Sequence, residues 1–74
     1  GLPMAYCKDT LCANIRAERA RLDLSQEELA QRAGLSAVSI QKYENGDMTP
    51  GVDKLAALAD VFGTTPNALL GWPE

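Results

Sequence analysis

The chain contains no histidine, and its only two cysteines, Cys7 and Cys12, sit near one end. Two thiols five residues apart with no imidazole are a poor metal set, so no metal or cofactor is expected. A bridge between them would close a short loop and constrain little. They read as reduced thiols of a cytosolic protein, because disulfides persist mainly in oxidising compartments. Aromatics are scarce, with one Trp, two Tyr and one Phe. Leu, Ile, Val and Ala must therefore fill whatever core forms. No run approaches the roughly 20 apolar residues that cross a bilayer, and no basic-then-apolar leader opens the chain. The expectation is a soluble, cytoplasmic protein. Excess positive charge is also missing, since seven Lys and Arg face ten Asp and Glu for a net charge of -3. That balance argues mildly against a polyanionic partner.

The distribution of charge is more informative than its sum. Arg16, Arg19, Arg21, Arg32 and Lys42 fall in the first two-thirds of the chain. Asp47, Asp53, Asp60 and Glu74 follow, with only Lys54 against them. An enzyme is the weakest function class, because no nucleophile, base and orienting group come together in the sequence. A chain of 74 residues also has little volume to enclose a pocket.

The length fits one domain with a modest core. Residues 1–8 read as an N-terminal extension, with Gly1-Leu2-Pro3 a tag scar before Met4. Residues 9–71 read as the domain, and 72–74 as a tail. Punctuation divides the domain into five short helices, and no window alternates as a strand would. The first is expected from Asp9 to Leu22, with Leu11, Ile15 and Leu22 on one stripe and Asp23-Leu24 as the turn. Ser25-Gln26-Glu27-Glu28 fits a capping box opening the second. Leu29, Ala30 and Ala33 form its inward face, and Gly34 ends it. The third has Ser36 as its cap, runs through Glu44 and stops at Asn45-Gly46, with Ile40 and Tyr43 inward. After the breaker cluster Asp47–Gly51, a fourth covers Val52 to Phe62, with Val52, Leu55, Leu58, Ala59 and Phe62 at helical spacing. Thr65-Pro66 opens a fifth, cap then first-turn proline, which carries Leu69 and Leu70 and ends at Gly71.

Only Gly34-Leu35-Ser36 joins the second and third helices. A turn this short sets two helices near a right angle, the geometry of a helix-turn-helix. Small Ala30 and Ala33 let them approach, and Leu35 plugs the corner. The third helix then protrudes as a rod of major-groove width, with the start of the second facing phosphates.

The run Ile15-Arg16 through Arg19, Leu24 to Ala30, Ala33 to Ser36, Ile40, Tyr43 to Gly46, Pro50 and Leu55 resembles the Cro/C1-type (XRE-like) helix-turn-helix family. The likeness spans about Leu11 to Leu70 in order and spacing. It implies an all-α, five-helix lambda-repressor-like fold and operator binding as a homodimer. It also implies a regulator of transcription, expected to be a repressor.

The family's roles, carried to matching positions, place Gln26, Ser39, Asn45 and Arg16 at phosphates, with Gln26 also bracing the recognition helix. They place Ala37, Val38, Gln41 and Lys42 at base edges. Helix N-termini suit phosphates in any case. Lys42 is expected at guanine O6/N7 or a phosphate, and Gln41 at adenine or in solvent. Arg19 and Glu44 match a pair that ties the first helix to the end of the third. Two departures stand out. Ala37 and Val38 occupy positions where many family members carry polar readers; they make no side-chain hydrogen bonds but can pack on thymine methyls. Asp47 stands where a basic residue is frequent. Specificity would then rest on few direct contacts plus DNA shape.

Leu69, Leu70 and Trp72 cluster near the C-terminus and are expected at the dimer interface, where Trp is enriched; the alternative is that all three cap the monomer core. The competing reading is a protein-interaction module on the same fold, an antirepressor or antitoxin-like partner. Its grounds are the acidic balance and the outward apolar pair Ala37 and Val38.

Overall fold

The structure, a computed structural model, describes residues 5–74. The tag-scar reading of Gly1 to Pro3 lies outside the described residues. Five helices follow in order: α1 Lys8–Arg21, α2 Gln26–Ala33, α3 Ala37–Asn45, α4 Val52–Phe62 and α5 Pro66–Leu70. No strand is found among the described residues, so the fold is all-α, and each end differs from the sequence expectation by no more than about a residue.

Local chemistry explains the boundaries. The Ser25 hydroxyl accepts from the Glu28 amide at 3.0 Å, and the Glu28 carboxylate accepts from the Ser25 amide at 2.9 Å, closing the capping box of α2. These hydrogen bonds, the one from the Ser25 backbone foremost, hold the Glu28 carboxyl below its ordinary range. Ser36 and Thr65 cap α3 and α5 by accepting from the amides of Ser39 and Ala68. Gly34 ends α2 in the left-handed region at φ 70°, which lets the Leu35 amide reach the Ala30 carbonyl at 2.8 Å. α1 closes in the same way without a glycine. Asp23 sits at φ 55°, and the Leu24 amide reaches back to the Arg19 carbonyl at 3.1 Å.

The core is one cluster drawn from all five helices. Ile15, Leu29, Ile40, Tyr43, Leu58 and Leu69 are fully buried, and Leu11, Leu24, Ala30, Leu55, Ala59 and Phe62 join them. Ala30 is 3 % exposed and sits where α2 meets α3, while Leu35 packs partly buried at the corner. α2 and α3 make the most extensive contact of any helix pair.

Two expectations about the apolar residues require correction. Val52 shares the spacing of the α4 core stripe but is 85 % exposed. As the first residue of the helix, it lies before the turn that packs on the core. Leu69 was expected at a dimer interface, yet it is 1 % exposed within the core. Its side chain is covered by the monomer, so no surface is left for a partner. Leu70 is half-buried against the same core.

The two cysteines are unbridged, Cys7 exposed and Cys12 buried. No helix among the described residues is long and apolar enough to cross a membrane. No cluster that could hold a metal ion occurs among them either.

Candidate functional site

Glu44 organises the site. It is 3 % exposed, near the end of α3, the one buried charged side chain among the described residues. Arg19 from α1 meets its carboxylate in fork geometry, Nε to Oε2 at 2.6 Å and Nη2 to Oε1 at 3.0 Å. Such bidentate pairs are the stronger class of charge-assisted hydrogen bond. The hydrogen bond with Glu44 also holds the Arg19 guanidinium above its ordinary value, against some burial. Nη1 of Arg19 donates to the Leu24 carbonyl at 2.9 Å, so the same side chain braces the α1–α2 turn. Gln26, the first residue of α2, donates from Nε2 to Oε1 of Glu44 at 3.1 Å. One carboxylate thereby ties α1, α2 and the turn between them to α3. No buried side-chain nitrogen or oxygen among the described residues lacks a partner, so the network is complete.

This arrangement fixes which face of α3 is free. Ile40, Tyr43 and Glu44 point inward. Gln41 and Lys42 are exposed, Val38 is 59 % exposed, and Asn45 is exposed at the last turn. These residues form one outward strip on a helix locked at its C-terminal end by Glu44 and at its start by the Ser36 cap.

The remaining anticipated residues are more constrained. Ala37 is half-buried and packs against the core, which leaves only part of its methyl for an outside contact. Ser39 is half-buried, and its hydroxyl accepts from Ser36 at 2.9 Å. Gln26 is half-buried with one amide proton engaged by Glu44, which fixes the group and leaves the second proton for another acceptor. Arg16 is exposed, yet its Nη1 donates to the Glu44 backbone carbonyl. That tether is absent from the sequence expectation. The helical offset of three between Arg16 and Arg19 was the available signal, because it places both on the flank that meets α3. At the far end, the Trp72 indole N–H donates to the Ala5 carbonyl at 3.1 Å. The tail folds back through Asn67 to Pro73 and Thr65 to Glu74.

Residues 15–69 match a protein family described as Helix-turn-helix. The match takes in α2, α3 and the Glu44 network. The chain belongs to the Cro/C1-type helix-turn-helix family.

Relatives within and around the family carry the same domain. An uncharacterized HTH-type transcriptional regulator of Sinorhizobium fredii, y4dL, is 38 % identical over 56 residues, covering 76 % of this chain. The chain corresponds to only 29 % of that relative's length. Among solved structures, the P22 c2 repressor in complex with synthetic operator 9T superposes with a TM-score of 0.78 at 32 % identity, covering 81 % of this chain and 91 % of that one. The restriction-modification controller protein C.AhdI of Aeromonas hydrophila superposes with a TM-score of 0.79 at 26 % identity, covering 84 % and 94 % respectively. The fold is thus that of the repressor-type helix-turn-helix domains.

Proposed function

We propose that the chain binds double-stranded DNA in a sequence-dependent way and regulates transcription, as a repressor that works as a homodimer with α3 in the major groove. The observation that carries this reading is the outward strip of Val38, Gln41, Lys42 and Asn45. It lies on a helix whose inner face is locked by Ile40, Tyr43 and the Glu44 network. A protruding helix of this kind has the diameter that a major groove admits. The similar P22 c2 repressor forms a complex with a synthetic operator, which supports DNA as the partner.

Within the proposal each side chain has a physical role. Lys42 donates to guanine O6/N7 or to a phosphate, and Gln41 can pair with adenine through its amide. Val38 packs on a thymine methyl, helped by whatever part of Ala37 stays accessible. Gln26 offers its second amide proton to a phosphate at the N-terminus of α2, where free amides and the helix dipole add to the attraction. Asn45, Arg16 and Ser39 are assigned to phosphates. Ser39 would have to share the hydroxyl that it uses with Ser36. With Leu69 withdrawn into the core, Leu70 and Trp72 remain as the candidate dimer contacts. Two recognition helices in such a dimer would stand about 34 Å apart, one helical turn of DNA.

One observation favours a second reading, in which α3 docks on a protein. Val38 is 59 % exposed on a chain with a net charge of -3. Selection from a pool of random duplexes separates the two. DNA binding predicts an enriched motif whose affinity falls with salt and with Lys42→Ala. A pool that emerges without enrichment, or equal binding by Lys42→Ala, removes the DNA reading in this form.

A further inference from the structure

α1 turns Lys8, Cys12, Arg16 and Arg19 toward α3, at offsets of four, four and three that share one helix flank. The contacts fix this orientation. Arg19 and Arg16 reach the Glu44 carboxylate and backbone carbonyl, as described above. Gly46, the residue that ends α3, lies under the start of α1. A Cβ on Gly46 would stand 3.6 Å from Sγ of Cys12, 3.5 Å from Cε of Lys8 and 3.8 Å from its Cδ. The Lys8 stem and the Cys12 thiol therefore border the space beside Gly46, at the C-terminal end of the recognition helix.

The ammonium at the tip of that stem has no carboxylate within 4 Å among the described residues, where the ion pairs are Arg19 with Glu44 and Arg21 with Glu18. Of the five cations outside those pairs, Arg32 ends α2 and Lys54 lies on α4. The other three, Lys8, Arg16 and Lys42, all lie on or against the C-terminal half of α3. The opposing charges nearby are Asp47, whose amide is held by the Lys42 carbonyl, and Asp9, next to Lys8 in the first turn of α1. An acidic chain thus keeps a local cationic rim beside its recognition helix.

We propose that Lys8 is a phosphate-contacting residue that extends this rim from Asn45 to the start of α1. The inference rests on the DNA-binding reading above and adds a contact outside the helix-turn-helix itself. Lys8 is exposed, so its flexible stem can carry the ammonium to a phosphate beside the end of α3. Each phosphate so neutralised releases a condensed counterion and contributes about 0.9 to the slope of log affinity against log salt.

The test measures affinity for one duplex at several salt concentrations between 50 and 200 mM, for wild type, Lys8→Ala, Lys8→Arg and Lys42→Ala. Lys8→Ala should lower the slope by about 0.9, so that its affinity falls roughly 3.5-fold less than that of wild type across the range. Lys8→Arg should restore the wild-type slope. Thermal melting of the same variants separates this role from simple stabilisation of the α3 C-terminus, which a nearby cation also provides. A lower melting temperature with an unchanged salt slope overturns the proposal. Salt-dependent binding by wild type that Lys42→Ala weakens and Lys8→Ala leaves alone rejects the Lys8 contact only. No duplex binding by wild type rejects both readings.

Discussion

Removal of Arg19 should cost the domain a large share of its stability, and more than removal of the charge at Glu44. The side chain of Arg19 is 24 % exposed and that of Glu44 3 % exposed. In Arg19→Met, which keeps the stem, the buried carboxylate retains only the donor from Gln26. Stranding one member of a buried pair costs about 3–5 kcal/mol. Glu44→Gln keeps the volume and one acceptor, and the Arg19 guanidinium left behind still has the Leu24 carbonyl and some water. The loss there should be about 1.5–3 kcal/mol, the range for hydrogen bonds to charged groups. A domain of this length has roughly 4–11 kcal/mol in total, so Arg19→Met approaches the limit of folding. Urea unfolding followed by circular dichroism measures each variant, provided the slopes with denaturant agree. The double variant Arg19→Met/Glu44→Gln should lose less than the sum of the singles, by about 1–3 kcal/mol, because the two side chains touch. Strict additivity, or an Arg19→Met loss below about 1 kcal/mol, would refute the view that Glu44 is the hub of the fold.

Other outcomes follow from single observations. Asp23 ends α1 at φ 55°, and Asp23→Gly should stabilise by about 0.5–1 kcal/mol, read as a rise of a few degrees in melting temperature. Gly34→Ala should do the reverse, losing about 1–2 kcal/mol from backbone strain alone, since nothing lies within 4 Å of the added Cβ. The carboxyl of Glu28 is held below its ordinary range by Ser25. The stability it contributes is therefore full above the unfolded-state value and is lost as pH falls through the lower folded-state value. A pH series of melting temperatures should show a flatter acid limb for Glu28→Gln, and an identical limb would argue against the capping box. Val38→Ser should change the preferred base at one position of a selected site while leaving the salt dependence intact; loss of affinity for all duplexes alike would contradict a base-reading role.

Much of the fold was legible because its punctuation is local. Ser25, Ser36 and Thr65 each meet an amide three residues ahead, and Gly34 ends α2 by its own backbone preference. Such signals need no knowledge of distant residues. The misreadings came where the answer depends on what lies across the fold. Helical spacing placed Val52 with Leu55 and Leu58, but spacing does not reveal that the first residue of α4 precedes the packed turn. Leu69 and Leu70 are neighbours of similar chemistry, and only the packing of α5 on the core separates them. Arg19 and Glu44 could be paired by family resemblance. The same resemblance implies that Gln26 braces the recognition helix, but its acceptor on Glu44, like the Arg16 tether, depends on how α1 and α2 lie against the end of α3. The approach of Lys8 to Gly46 joins residues from two distant parts of the chain and leaves no local signature.

The central claim is that the outward face of α3 meets DNA. Amide chemical shifts recorded while a duplex from the selection is titrated into the labelled protein test it without any substitution. The account predicts that the largest changes fall on Gln26, Val38, Gln41, Lys42 and Asn45, with a second, smaller set at the dimer contacts Leu70 and Trp72, and with the C-terminal half of α4 little affected. Changes confined to α4 and α5 with α3 unmoved, or none at saturating duplex, would contradict it.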